Sequence, residues 1–162
     1  MYYKAAYGYP WRIPAVPRRY AGHWRAESGR RGTMDYGGRP YVVNIARAAM
    51  QNTNYRTALW TGEHFQVTLM SIPVGEDIGL EVHPETDQFI RIEQGQGLVQ
   101  MGNSPDRLDF ERMAYADSAV MVPAGVWHNI TNTGNTPLKV YVIYAPPEHP
   151  RGTVHPTRPS AD

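Results

Sequence analysis

An antiparallel all-β domain, built as a sandwich or a closed barrel, is the fold class this sequence predicts. Short runs rich in branched and aromatic residues recur through the middle of the chain, separated by Gly, Pro, Asn or Asp. No long amphipathic helical pattern lies between them, which argues against an alternating α/β architecture. A length of 162 residues suits one domain with a real core and some residues left over.

Taken in order, residues 1–38 show neither a period of 2 nor one of 3.6, and Gly, Pro, Tyr and Arg dominate them. They hold seven Lys or Arg against two acids, and six of the eleven tyrosines, although the whole chain carries a net charge of only +1. The reading is a basic, poorly ordered arm. Its composition suits weak contacts with an acidic surface, nucleic acid or a partner subunit, but nothing in the rest of the chain resembles a nucleic-acid reader. The turn cluster YGGRP, Tyr36 to Pro40, marks the boundary of a barrel domain spanning 39–147.

PYVVNIARA then reads as a strand or arm running into a short helical turn. Eight strands follow: Tyr55 to Trp60, His64 to Val74, Leu80 to His83, Gln88 to Glu93, Gly97 to Gly102, Ala119 to Pro123, Val126 to Asn132 and Leu138 to Ala145. Residues 148–162 continue a Pro-rich stretch and are expected to form an extended surface tail, with His149 and His155 solvated.

The absence of cysteine removes disulfides, thiolate ligands and a cysteine nucleophile, so any metal must be held by His, carboxylate, amide or water. No apolar run approaches the length of a membrane span, and MYYKAAYGYPWRIP lacks the apolar stretch of a secretory signal. The expectation is a soluble, cytoplasmic protein.

The chemistry is expected in GEDIGLEVHPETDQFIRIEQG, Gly75 to Gly95. Glu81 and His83 lie two apart, so an extended strand points both to one face. Gln88 follows beyond a Pro-containing turn, and a second stretch, PAGVWHNITN, supplies His128. Small barrels fill their interiors with apolar side chains, so inward polar groups need a reason. Left unpartnered, a buried carboxylate and imidazole would cost several kcal/mol, a penalty that a divalent cation removes. Each residue alone also reads as an ordinary half-buried or edge side chain; the combination of four is what points to a metal. Imidazole and oxygen donors suit Zn, Mn, Fe, Co or Ni without choosing among them. Met70, Met101 and Met121 read as ordinary core.

These two stretches resemble the paired motifs of the cupin superfamily, G(X)5HXH(X)3-4E(X)6G and G(X)5PXG(X)2H(X)3N. Gly75, Glu81, His83, Gln88 and Gly95 keep the spacing of the first; Pro123, Gly125, His128 and Asn132 keep that of the second, with Asp117 where its glycine would stand. The identities depart at two ligand positions, Glu81 for histidine and Gln88 for glutamate. The resemblance implies a double-stranded β-helix, or jelly-roll barrel, with metal ligands Glu81, His83, Gln88 and His128, and a homodimer paired through edge strands. More narrowly, the chain is similar to small single-domain bacterial cupins loosely labelled phosphomannose-isomerase-like. That likeness implies Lewis-acid chemistry on a small hydroxy-carbonyl compound, with Glu85 and Asp87 the nearby acids for proton transfer. A non-haem metal dioxygenase and a non-catalytic small-molecule-binding cupin stand beside it as alternatives.

Overall fold

The computed structural model describes residues 35–159; the basic arm up to residue 34 and the expectations attached to it lie outside the described residues. One helix, α1 (Ile45–Gln51), precedes nine strands: β1 (Arg56–Thr61), β2 (Gln66–Ile72), β3 (Asp87–Gln94), β4 (Gln96–Gly102), β5 (Phe110–Tyr115), β6 (Ala119–Val122), β7 (Trp127–Asn132), β8 (Leu138–Ala145) and β9 (Val154–His155). They form a six-stranded sheet in the order β6-β3-β8-β2-β1-β9 and a three-stranded sheet in the order β5-β4-β7. Every pairing is antiparallel, and the inward residues of both sheets meet in one core. This is the double-stranded β-helix expected.

Register makes the interior change character along the barrel. In the six-stranded sheet Ile72 is aligned with Leu138, then Met70 with Val140 and Ile92, then Thr68 with Val142 and Ile90, and last Gln66 with Tyr144 and Gln88. All of these are buried. One end of the barrel is therefore apolar, each large side chain there contributing roughly 1.5–3 kcal/mol by burial, and the other end is polar. Met70 and Met101 belong to the core, whereas Met121 faces outward and is 64% exposed.

Outside the six-stranded sheet, α1 covers Leu59, Val67 and Leu69 with Ala49. Its first turn is capped by the Asn44 side chain, which accepts from Arg47 N at 2.9 Å. The Lys139 amine ties its far end to β2, donating to Asn52 O and Ser71 Oγ.

Three expectations change. The predicted strand Leu80 to His83 is reduced to a single antiparallel bridge, Glu81 to His128. The Asp77 side chain accepts from Gly79 N at 2.8 Å and Gly79 has φ +84°, so the extended run breaks there. The segment still follows β7, through Gly75 N to Asn132 O, Ile78 N to Ile130 O and Glu81 N to His128 O. Strand β5 was not predicted, because only Ala114 of FERMAY is buried and no alternation shows.

The Pro-rich tail, expected to run free over the surface, folds back onto the barrel. Its Val154 and His155 pair with Thr57 and Arg56 and cover the edge of β1, as an open edge requires. Fully buried Gln66 grips the tail at His149: its Nε2 donates to His149 O at 2.9 Å and its Oε1 accepts from His149 N at 3.0 Å. His149 and His155 are consequently half-buried, not solvated. At the other boundary the chain is anchored from Asp35, whose carboxylate accepts from Thr61 N at 2.9 Å, Thr61 Oγ1 at 2.5 Å and Gly152 N at 3.0 Å.

The motif positions without donor chemistry are turn devices. Gly95 has φ +91°, and a Cβ there would meet Leu138 Cα at 3.3 Å. Asp117, in the place of a glycine, has φ +70°, a left-handed conformation that Asp tolerates better than most residues. Asn132 is 1% exposed; its Nδ2 donates to Ile72 O and Thr136 O, both at 2.9 Å, and its Oδ1 accepts from Gly134 N at 2.9 Å. Replacing Asn132 by Ala orphans these groups and should cost about 3 kcal/mol. A urea midpoint that hardly moves would show that Asn132 does not hold the turn.

Candidate metal centre

Backbone pairing brings the first two functional side chains together. Glu81 N donates to His128 O at 3.0 Å and His128 N to Glu81 O at 2.9 Å. Residues that exchange both bonds stand directly opposite and point to the same face. His83 lies two residues further on, with Gly125 N donating to its carbonyl at 2.8 Å.

Both imidazoles turn Nε2 toward one carboxylate oxygen: Glu81 Oε1 lies 3.3 Å from His83 Nε2 and 3.4 Å from His128 Nε2. The ligand atoms of the three residues all lie within 4.8 Å of one another. Their other ring nitrogens are anchored outside the cluster, His128 Nδ1 at 3.0 Å from Val126 O and His83 Nδ1 at 3.0 Å from Glu148 Oε1. His128 is 1% and His83 8% exposed, and among the described residues neither Nε2 has a hydrogen-bond partner. Two orphaned imidazole nitrogens converging on a carboxylate are the donor chemistry of a divalent-metal site, so the residues fit a metal.

Burial pushes the Glu81 carboxyl up, but contact with His128 and His83 and the charge of Arg56 outweigh it and bring it down to about 2. For His83 burial favours the neutral ring, yet the Glu81 and Glu148 carboxylates prevail and raise its pKa. The cluster thus holds an ionised carboxylate ready for a cation.

Gln88 enters from the opposite sheet, at the head of the inward row Gln88, Ile90 and Ile92. It is 4% exposed, its Nε2 has no partner among the described residues, and it shares with Glu81 and Tyr144 the lining of an interior void of about 10 Å3. That is room for roughly one water-sized species. Glu85 is exposed, and the exposed Asp87 accepts from Ala124 N at 2.8 Å, tying the start of β3 to the neighbouring turn. Neither lines the void.

Three residues near the centre had no motif to reveal them. Glu148 comes from the segment read as free tail. Arg56 is 6% exposed, with its Nη2 3.9 Å from Met70 Sδ and its guanidinium 5.5 Å from the centre of the Tyr55 ring. Among the described residues no carboxylate pairs with it. Tyr144 sets its ring edge-on to His83 at 5.8 Å and to His149 at 4.9 Å between centroids, and burial pushes its phenol up. The one available signal was the alternation of β8, which puts Tyr144 on the inward face with Val140 and Val142.

The barrel and this cluster define a class, a small β-helix domain with a His and carboxylate centre between its sheets. Residues 68–144 match the family model described as the cupin domain, and the chain belongs to the cupin family. It is 68% identical over 127 residues to the YrkC protein of Bacillus subtilis (strain 168), covering 78% of this chain and 68% of that one. It is 39% identical over 122 residues to protein L612 of Acanthamoeba polyphaga mimivirus, covering 75% and 74%. Among solved structures it is similar to BH2720 from Bacillus halodurans, with 61% identity, a TM-score of 0.77, and coverage of 77% of this chain and 95% of that one.

Burial, then the charge of Arg56, pushes the His149 imidazole down to about 3. Unfolding restores an ordinary value near 6.5, so the unfolded chain takes up the proton first as pH falls. This contribution to stability is complete above pH 6.5 and is lost as pH falls from there toward 3, by at most about 1.4 kcal/mol per unit and less to the extent that solvent reaches the ring. His149→Phe should flatten that part of the profile in urea unfolding measured across pH; an unchanged slope would mean that the ring is protonated in the folded protein.

Proposed function

We propose that the protein holds one divalent transition metal, Zn, Mn, Fe, Co or Ni, on Glu81, His83 and His128 with Gln88 as fourth donor. We propose further that it acts on a small hydroxy-carbonyl compound in the manner of a sugar isomerase. The observation that carries this reading is the convergence of two partnerless, buried Nε2 atoms on one Glu81 oxygen. Bound there, the ion would keep a net positive charge and supply Lewis-acid polarisation of a carbonyl or a water.

The chain's own residues divide the rest of the work. The apolar rows below the centre, Met70, Ile72, Ile90 and Val142, wall the small void on that side and keep bulk solvent from it. Arg56 adds an interior guanidinium able to donate to a ligand oxygen. Of the two acids proposed for proton transfer, Asp87 at the start of β3 is engaged with Ala124 N, which leaves Glu85 on the preceding turn as the candidate with a free carboxylate. A dioxygenase is the second reading, favoured by the donor set itself: two imidazoles and one carboxylate are the ligands of non-haem iron oxygenases.

Metal analysis of the purified protein separates the two. Zinc or manganese with aldose-to-ketose conversion supports the isomerase, and iron with oxygen uptake the dioxygenase. His83→Ala and His128→Ala should each abolish stoichiometric metal; full retention in both sinks the site. Gln88→Leu should weaken binding without abolishing it, because a neutral amide is the least tightly held donor of the four.

The homodimer implied by the cupin resemblance belongs to the same proposal. Strand β5, an edge of the three-stranded sheet, leaves Phe110, Met113 and Tyr115 47%, 41% and 54% exposed, a surface suited to a second copy. Sedimentation analysis should give twice the chain mass, and Met113→Lys should return it to the monomer value.

A further inference from the structure

We propose that Glu148 is a positioning residue of the metal centre, holding His83 in the tautomer that presents Nε2 to the ion. The proposal rests on the metal-binding reading above and adds a residue that lies outside both motifs.

The two imidazoles are oriented by different devices. His128 Nδ1 faces the Val126 carbonyl at 3.0 Å. A carbonyl only accepts, so Nδ1 carries the hydrogen and Nε2 keeps its lone pair for a ligand role. His83 has no such carbonyl among the described residues, and its Nδ1 faces Glu148 Oε1 at 3.0 Å.

The groups around His83 show why this matters. Glu81 Oε1 lies 3.3 Å from Nε2 and competes for the same proton. His128 and Tyr144 are further off, 5.6 and 5.8 Å between ring centroids. Without Glu148, the Glu81 carboxylate is the one strong acceptor left to His83 among the described residues, and the hydrogen moves to Nε2, where it blocks coordination. Carboxylates that accept from the far nitrogen of a metal-bound histidine both fix the tautomer and raise the basicity of the ligand.

Glu148 is delivered by the backbone, which needs nothing from its carboxylate. The segment is held by the pair of hydrogen bonds between Gln66 and the His149 backbone, by β9 on β1 and by Asp35 on Gly152 N. Glu148 itself makes no other ion pair among the described residues. Changing its side chain should therefore leave the fold in place.

Nitrogen-15 imidazole spectra of the metal-free protein, recorded where imidazole is neutral, read the tautomer directly. His83 should carry its hydrogen on Nδ1 in the wild type and in Glu148→Gln, whose amide oxygen still accepts, and on Nε2 in Glu148→Ala; His128 should be Nδ1-protonated in all three. Titration with Co2+ should show Glu148→Ala binding about tenfold to a hundredfold more weakly, with Glu148→Gln recovering most of the loss. A His83 hydrogen already on Nε2 in the wild type overturns the proposal. So does a Glu148→Ala protein whose tautomer and Co2+ affinity are unchanged while His83→Ala abolishes binding, and this leaves the metal reading standing. Co2+ binding that is insensitive to His83→Ala overturns that reading and the proposal with it.

Discussion

The paired backbone bonds between Glu81 and His128 are the constraint from which the rest of the centre follows. They oppose a carboxylate to an imidazole on the inner face, and the strand period then adds His83 two residues on. Concentrating three ionisable groups in a space where one imidazole is 1% and another 8% exposed costs several kcal/mol of solvation. Part of that cost is offset within the chain, by Arg56 near Glu81 and by Glu148 on His83. The unmatched remainder lies at the two Nε2 atoms, where a cation would act.

Seen in this way, the departures from the cupin pattern are less disruptive than they look. The pattern implies three neutral imidazoles and one carboxylate; this chain offers two imidazoles, one carboxylate and one neutral amide. Both sets carry a single negative charge. The carboxylate has moved from β3, in the six-stranded sheet, to the segment bridged to β7, and the amide has taken its place. The positions of these side chains are set by the bridge, by the register of β3 and by turns such as Gly95 and Asp117, none of which depends on side-chain identity. Residues there can therefore be exchanged while the frame is kept.

Most of the barrel was legible in the sequence because its strands alternate or consist of branched residues between strong turn signals. The convergence of Glu81, His83 and His128 was legible too, through strand period and the spacing of the two motifs. What escaped did so for physical reasons. Strand β5 buries one side chain of six and carries no period. Residues 80–83 look like a strand, but the Asp77 and Gly79 turn before them allows only a bridge. The tail was misjudged from composition: prolines exclude a helix or a central strand, but they do not prevent docking by a two-residue edge pair and a glutamine clamp. Glu148 and Arg56 belong to no periodic pattern, and only the folded register brings them to the centre.

The polar end of the barrel and the folded-back tail answer one another. Where the rows reach Gln66, Gln88 and Tyr144, the interior holds polar groups that apolar packing cannot satisfy. Gln66 donates to Thr61 Oγ1 and bonds both the carbonyl and the N–H of His149, and His83 finds a partner in Glu148. A tail that merely shielded the edge of β1 would need β9 alone. This one also places a carboxylate on a buried histidine, so the docked backbone fixes one of the contacts that orient the centre. The apolar layers from Ile72 and Leu138 to Met70 and Val140 supply the stability that lets the opposite end carry so many unmatched polar atoms, which is why the polar cluster sits at one end of the barrel and not at its middle.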